Sequence, residues 1–276
     1  MKVKAYAKAN LGLDVLGRRE DGYHLMDMVN ARCSLYDELD IEPADQDEII
    51  CEGMKLPASN TLSNALDELR KVGLKGHYRI TLTKNIPSQA GLGGGSADAA
   101  ALLEALNEIE DLRLSIKELE TIGARIGADV PCCLHDGFTR VKGIGEVVTD
   151  LNVDWRVPVV FVQGVKGIST AEAFARLEEN GSRALDIDII QDAVRKKDIG
   201  LLYQTMTNAF EPQAFEALDE LPELKMAMQD AGLVRIQMSG SGSCLMGFSV
   251  DDEVIDKAVE RLSEKYPFVQ KGWLGK

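Results

Sequence analysis

IPSQAGLGGGSADAAALLEAL, residues 86–106, crowds Gly91, Gly93, Gly94 and Gly95 into a short loop and follows them at once with an alanine-rich run. Upstream, YRITLTKNIP alternates Tyr78, Ile80 and Leu82 until Pro87 stops regular strand pairing. Downstream, Ser96 and Asp98 precede Ala and Leu residues of high helix propensity, which places a helix start near Ser96 with Leu102, Leu103 and Leu106 on its buried face. The unit is therefore strand, glycine loop, helix. Without Cβ atoms such a loop brings backbone N–H groups close to phosphate oxygens, and the helix adds unpaired N–H groups and a favourable dipole. The same glycines equally permit close packing, with Ser96 as a simple cap. The dinucleotide pattern GxGxxG in its early strand-to-helix context is not met, and the lysine of GxxxxGK[ST] is missing.

Outward from this unit the first third is rich in β structure. MKVKAYAKANLGLDVLG alternates through Val3, Ala5 and Ala7 and again through Leu11, Leu13 and Val15, which predicts a strand pair or one bent strand. RREDGYH is a turn, SLYDELDIEPADQD a strand with an acidic connection, and EIICEG a short strand. In SNTLSNALDELRKVG, Leu62, Ala65, Leu66 and Leu69 recur at helical spacing before Gly73. The later chain mixes helices with strands: LSIKELETIGARIG, TAEAFARLEENG, the run from residue 185 to 210 and FEALDELPELKMAMQDAG read as helical, VVFVQG as a strand, and VRIQMSGSGSCLMGFSV as β-like around a second glycine-rich loop before a closing helix, DDEVIDKAVERLSEKY. The expected class is α/β (α+β), with domains at 1–154 and 155–276.

The chain of 276 residues carries 45 acidic against 31 basic side chains, a formal charge of −14, which disfavours a broad nucleic-acid surface or an anionic membrane but leaves room for a local basic pocket. Five scattered cysteines without CxxC pairs point to reduced structural thiols, and three histidines with no motif joining them to cysteines give no zinc site. With no apolar leader or span-length segment, a cytoplasmic protein is expected, free of nucleic-acid and membrane partners and either a monomer or a weak homodimer.

Several residues carry candidate chemistry. Lys8, one residue before Ala9 and two before Asn10, sets an ammonium and an amide on one strand, suited to stabilising a transferring phosphate and fixing a hydroxyl; an exposed lysine and a turn-capping asparagine are the plainer alternative. Asp129 in GADVP can orient or deprotonate an alcohol or help hold magnesium, or form an Asx turn. Tyr23 and His24 offer a ring and an imidazole to a planar base, or pack a turn. Lys84 reaches a nucleotide or charges a strand edge. SGSGS, residues 239–243, wraps a phosphorylated ligand or bends a hairpin, and lacks the GxSxG context of an esterase nucleophile.

Taken in order, AYAKANLGLDVLGRREDGYH, NTLSNAL, IPSQAGLGGGSADAAA, GADVP, GIGE and MSGSGSC resemble the GHMP kinases, the small-metabolite kinase superfamily of galactokinase, homoserine kinase, mevalonate kinase and phosphomevalonate kinase, from the N-terminus to the last glycine-rich region. Within it the chain looks like the branch that phosphorylates the 2-hydroxyl of 4-diphosphocytidyl-2-C-methyl-D-erythritol in non-mevalonate isoprenoid precursor synthesis. The resemblance implies a two-lobed kinase, with an N-terminal lobe like the second domain of ribosomal protein S5 and a ferredoxin-like C-terminal lobe. It implies ATP and Mg²⁺ as cofactors, ATP phosphates over Gly91, Gly93, Gly94, Gly95 and Ser96, and Asn60 and Lys84 on the nucleotide side, with Ser96 as a magnesium contact. Lys8 and Asp129 are implied at the reacting hydroxyl. Asn10, Tyr23, His24, Thr170, Phe174, Ser239, Gly240 and Ser241 are implied around a cytidine-bearing alcohol.

The sequence departs from the family pattern at Tyr6 and Ala9, where a proline and a large aliphatic residue are usual, at Ser88 and Gln89 before the glycines, at Lys166, and at TNAF, residues 207–210, in place of Asn-Asp-Leu-Glu. These changes bear on the alcohol more than on the phosphate donor. A kinase of another small alcohol, or a noncatalytic nucleotide-binding regulator, therefore stands as the alternative.

Overall fold

A long antiparallel pair dominates the first half of the computed structural model, which describes residues 1–180 and 184–276. Strands β1 (Lys2–Arg18) and β2 (His24–Ala44) run side by side, joined by a tight turn in which Gly22 takes φ +91°. Their register sets Lys8 opposite Arg32 and Asn10 opposite Asn30, with irregularities on both sides of this stretch, between Tyr6 and Lys8 and between Asn10 and Gly12. Bulges of this kind bend a strand and re-aim its side chains, and here they bracket Lys8 to Asn10.

The other edge of β2 is shared. β4 (His77–Thr83) pairs with residues 38–44 and β5 (Phe138–Gly143) with residues 26–31, while β3 (Glu48–Cys51) adds parallel to β4 and β6 (Val147–Asp150) antiparallel to β5. Helices α1 (Thr61–Arg70), α2 (Gly94–Ile109), α3 (Ile116–Ile126) and the single turn α4 (Val130–Cys133) belong to the same half. Leu62, Leu66 and Leu69 of α1 and Leu102, Leu103 and Leu106 of α2 are buried in one core with Leu39, Ile41, Ile80 and Leu82 of the sheet. Each such side chain contributes about 1.5–3 kcal/mol of burial.

The second half builds a sheet from β7 (Arg156–Gln163), β9 (Arg235–Met238), β10 (Leu245–Phe248) and β11 (Phe268–Gly275). Its spatial order is β11-β7-β10-β9 with every neighbour antiparallel, so the fourth strand lies beside the first and the third between first and second. This is the ferredoxin-like order. Between β7 and β9 come α5 (Thr170–Asn180), α6 (Ile187–Lys196), α7 (Ile199–Thr205), the two-residue β8 (Thr207–Asn208), α8 (Glu211–Ala217) and α9 (Glu220–Asp230); α10 (Asp252–Ser263) precedes β11. Leu221, Leu224 and Met228 of α9 and Ile255, Ala258 and Leu262 of α10 bury with Val160, Val162 and Leu245. The two sheets join where Leu274 of β11 meets Cys33 of β2, and β8 adds parallel to β1 at Gly12 and Leu13. The two-lobed α/β architecture expected from the sequence is present.

Locally the structure departs from the sequence reading at one helix start and adds one strand. The glycine-loop helix begins at Gly94, because Gly93 takes the left-handed conformation (φ +68°) and serves as N-cap without a side-chain bond, so Ser96 is not a cap. The helix read over residues 170–181 is present as α5, and its final glycine, residue 181, lies outside the described residues. The closing strand β11 has no counterpart in the sequence reading: it covers an edge of β7 that eight paired residues satisfy.

Candidate active site

The two glycine-rich loops, separated by about 150 residues of chain, touch. A Cβ on Gly91, which sits at φ +73°, would lie 2.0 Å from the Ser239 carbonyl oxygen, and one on Gly240 (φ +53°) 2.7 Å from the Gly91 carbonyl oxygen. Glycine at these two positions is thus required by backbone-to-backbone contact and by left-handed φ together. The contact is laced by hydrogen bonds: Ser243 N–H donates to Gln89 O at 3.0 Å, Cys244 N–H to Ala90 O at 3.2 Å, and the Ser239 hydroxyl to Gly91 O at 3.1 Å. Asn208 holds the second loop from behind, its amide donating to Met238 O and Gly240 O at 2.8 Å each. Gln163 at the end of β7 donates to Ser88 O and to Ser243 Oγ, both at 3.2 Å.

Beside these loops opens a cleft of about 760 Å³, lined by residues 86–96, by Lys8 and Asp129, and at one side by Tyr23, His24 and Phe174. The first turn of α2 faces it with neither a side-chain cap nor an acidic residue. Its N–H groups and the positive end of the helix dipole are therefore available to an anion. Ser96 lines the cleft, with its hydroxyl on the side of Gly127, two residues before Asp129.

Lys8 and Asp129 meet across the floor, Nζ to Oδ2 at 3.3 Å, with the lysine side chain 8% exposed and the aspartate 34%. Lys8 is the recessed member and Asp129 the one open to a substrate. Burial, the largest single influence, would lower the Lys8 pKa; the Asp129 carboxylate, with Cys132 and Cys133 adding to it, more than offsets this and holds the ammonium above its ordinary value. Asp129 caps the turn α4 by position, yet its side chain makes no capping bond, so the Asx-turn alternative fails. Gly145 of the β5–β6 turn presses on the preceding residue: a Cβ there would lie 2.2 Å from the Ala128 carbonyl oxygen. The main chain leading into Asp129 is thereby packed closely against that turn.

Lys84 leaves β4 into the cleft wall and is held by two buried carboxylates, Asp37 of β2 and Asp98 of α2, the latter at 2.9 Å. Asp37 also accepts the N–H groups of Asn85 and Ile86. Burial lowers and the two carboxylates more than restore the Lys84 pKa; burial pushes Asp98 up, with the charge of Asp37 adding to it. Lys84 is thus not a solvated strand-edge charge.

Three expected site residues lie elsewhere. Asn10 is fully buried behind Lys8, away from the cleft lining, and Ser239 is fully buried with its hydroxyl between Asn10 N–H and Gly91 O. Asn60 is the N-cap of α1: its Oδ1 accepts from Leu62 and Ser63 N–H at 3.0 and 3.1 Å and its Nδ2 donates to Pro57 O, while the next residue, Thr61, lines the cleft. Asn60→Ala should therefore cost about 1 kcal/mol of stability through the lost cap and leave KM for ATP within about twofold, a shift smaller than one neutral hydrogen bond. Thermal melting and initial rates measure the two effects side by side.

At the other end of the cleft, His24 stacks on Phe174, ring centroids 4.3 Å apart at 16°, and Phe174 meets Phe210 edge-on at 4.9 Å. His24 Nε2 is 2.8 Å from Glu178 Oε1, which also pairs with Arg18 at 3.1 Å. Tyr23 is 60% exposed at the rim. Thr170 Oγ1 lies 3.4 Å from Ser241 Oγ, and both line the cleft with Gly240. Aromatic rings thus line this end of the cleft, where an open ring face is a surface for a planar base.

Sequence reasoning missed Asp37, Asp98, Asn208 and Phe210. The last two lie in TNAF, whose departure from the family pattern was the available signal. The carboxylates gave none, since an aspartate in a strand or in an early helix turn reads as solvated. Among the described residues no group of three or more His, Cys, Asp or Glu is arranged to hold a metal, and no helix is long and apolar enough to cross a membrane.

Comparison with known proteins bears on the family and the fold. The model of the GHMP kinases N terminal domain matches residues 60–137 and that of the GHMP kinases C terminal region residues 190–267. A 4-diphosphocytidyl-2-C-methyl-D-erythritol kinase of Clostridium tetani is 37% identical over 271 residues, 96% of this chain and 97% of that protein. The enzyme of the same name from Chloroherpeton thalassium is also 37% identical over 271 residues, 96% and 95% of the two chains. A solved 4-(cytidine 5'-diphospho)-2C-methyl-D-erythritol kinase superposes with a TM-score of 0.83 at 32% identity over the whole of both chains. L. major mevalonate kinase, at 20% identity and a TM-score of 0.73 over 100% and 96% of the chains, shares the fold.

Proposed function

The chain belongs to the GHMP kinases and is an ATP-dependent small-molecule kinase, and on that premise we propose that it phosphorylates the 2-hydroxyl of 4-diphosphocytidyl-2-C-methyl-D-erythritol, a step of non-mevalonate isoprenoid precursor synthesis. The observation that carries the chemistry is the Lys8–Asp129 pair, 3.3 Å apart in the cleft beside the glycine loop. The acceptor is supported by the activity for which relatives matched over nearly the full chain are named and by the aromatic rings that line one end of the cleft.

In this reading the N–H groups of residues 91–96 and the α2 N-terminus hold the ATP phosphates, with the Lys84 ammonium on the nucleotide side. Asp129 orients the acceptor hydroxyl and takes its proton as the oxygen attacks phosphorus. Lys8, kept charged by Asp129, stabilises the charge that builds on the transferring group. The remaining work is positioning: Tyr23, His24 and Phe174 hold the base, Thr170 and Ser241 the middle of the ligand. Magnesium, when bound, neutralises phosphate charge and fixes the phosphate geometry. Among the described residues no group of acidic ligands forms a cage, and Ser96, which lines the cleft, would be the protein contact of an ion that comes with the phosphates.

The test is initial-rate measurement with ATP and three alcohols. The cytidine-bearing alcohol is expected to turn over with the highest kcat/KM, and homoserine and mevalonate at least about 100-fold more slowly, because they carry no base to meet the aromatic end of the cleft. Efficient turnover of homoserine or mevalonate alone would contradict the acceptor assignment.

A further inference from the structure

Behind the reacting pair lies a closed circuit of buried hydrogen bonds. Lys8 Nζ donates to Asn10 Oδ1 at 2.9 Å, Asn10 Nδ2 to Asn30 Oδ1 at 2.6 Å, Asn30 Nδ2 to Cys132 Sγ at 3.5 Å, and Cys132 Sγ to the Asp129 carbonyl oxygen at 3.1 Å. The Lys8–Asp129 ion pair closes the ring. Asn10, Asn30 and Cys132 are no more than 5% exposed, and Asn10 and Asn30 are direct cross-strand partners of β1 and β2.

The direction of every bond is forced. An ammonium only donates, so the oxygen of the Asn10 amide must face Lys8 and its nitrogen must face Asn30. A backbone carbonyl only accepts, so the Cys132 thiol must donate to Asp129 and its sulfur must accept from Asn30. The two ends, reasoned independently, demand the same orientation of both amides. Met28 Sδ, an acceptor 3.4 Å from Asn10 Nδ2, agrees with it. Burial in a low-dielectric interior makes each link costly to leave unmade.

We propose that Asn30 and Cys132 are positioning residues: acting through Asn10 from one side and the Asp129 main chain from the other, they hold the Lys8 ammonium and the Asp129 carboxylate in register for phosphoryl transfer. Neither touches substrate. The cysteine is used as a compact, paired donor and acceptor and not as a nucleophile, in keeping with its burial and with the hydrogen bonds on both sides of its sulfur. The proposal rests on Lys8 and Asp129 being the reacting residues.

The experiment compares Lys8→Met, Cys132→Ala, Cys132→Ser and Asn30→Ala for kcat, for KM of ATP and of the alcohol, and for melting temperature. Lys8→Met should abolish turnover; if it does not, the underlying assignment of Lys8 fails, whatever the other variants do. Given that loss, Cys132→Ala and Asn30→Ala should lower kcat about tenfold with both KM values within about twofold, the size of one broken buried bond felt only in the transition state. Cys132→Ser, whose hydroxyl accepts from Asn30 and donates to Asp129, should recover kcat to within about twofold of the parent. A merely structural cysteine predicts instead that alanine and serine lower the melting temperature with kcat unchanged, and that result overturns the proposal, as does a serine variant as slow as the alanine one. If an alanine variant does not fold, Cys132→Ser against Cys132→Val, which leaves no cavity and removes the donor and acceptor, makes the same comparison.

Discussion

Asp129→Asn should lower kcat by about 10²–10⁴, the usual worth of a positioned acid or base, while ATP still binds. Asparagine keeps the shape and can still accept a hydrogen bond from the alcohol, so ground-state binding survives. What goes is the capacity to take the proton and the charge that counters Lys8. The consequence for Lys8 has a definite sign. Its pKa is set by burial, which lowers it, against Asp129 first and Cys132 and Cys133 after it, which raise it. With the carboxylate gone burial acts with less opposition, the ammonium loses its proton at lower pH, and the residual rate of the variant should fall off on the alkaline side earlier than that of the parent. The rate profile of both proteins from pH 6 to 10 and nucleotide binding by calorimetry are the measurements. An unchanged kcat in a folded variant removes Asp129 from the chemistry.

Gly91→Ala should reduce kcat/KM about 100-fold, the price of a displacement on the order of 1 Å in a positioning element. A methyl group there overlaps the Ser239 carbonyl, 2.0 Å away, and Gly91 is already at a φ that side chains rarely adopt. Backbone blocks it on the far side, so no rotamer change relieves the overlap. The loops must part, and with them the N–H groups that face the cleft. Gly53→Ala is the control: φ is +74° and nothing lies within 4 Å of the added atom. It should carry only the left-handed strain, on the order of 1 kcal/mol, with kcat/KM unchanged. Equal kinetic effects of the two substitutions would show that loop contact is irrelevant to turnover.

How far the sequence predicts all this depends on the kind of signal. Alternation in residues 3–15 and helical spacing at Leu62, Leu66 and Leu69 are local, and both elements are present. The contact of residue 91 with residue 239 is not local. It shows in the sequence only as two glycine-rich stretches, and which glycine meets which carbonyl depends on the β9–β10 hairpin and on Asn208 beneath it. Asn10 and Asn60 teach a different lesson. Each sits one residue from a cleft-lining neighbour or two from a reacting one, and polar type alone does not separate an amide that meets substrate from one that caps a helix or braces a lysine. The chain's partners decide: Ser63 for Asn60, Asn30 for Asn10. Asn30 has no local signal of its own, since its face of β2 also carries Arg32, Ser34 and Tyr36.

The central claim is that one phosphoryl group passes from ATP to one hydroxyl of a cytidine-bearing alcohol in this cleft. Following the reaction by phosphorus NMR tests it most directly. The account predicts ADP and a new phosphomonoester on the 2-oxygen appearing in equal amounts, with no inorganic phosphate. ADP released with inorganic phosphate alone, or a phosphomonoester on a different oxygen of the same alcohol, would contradict it.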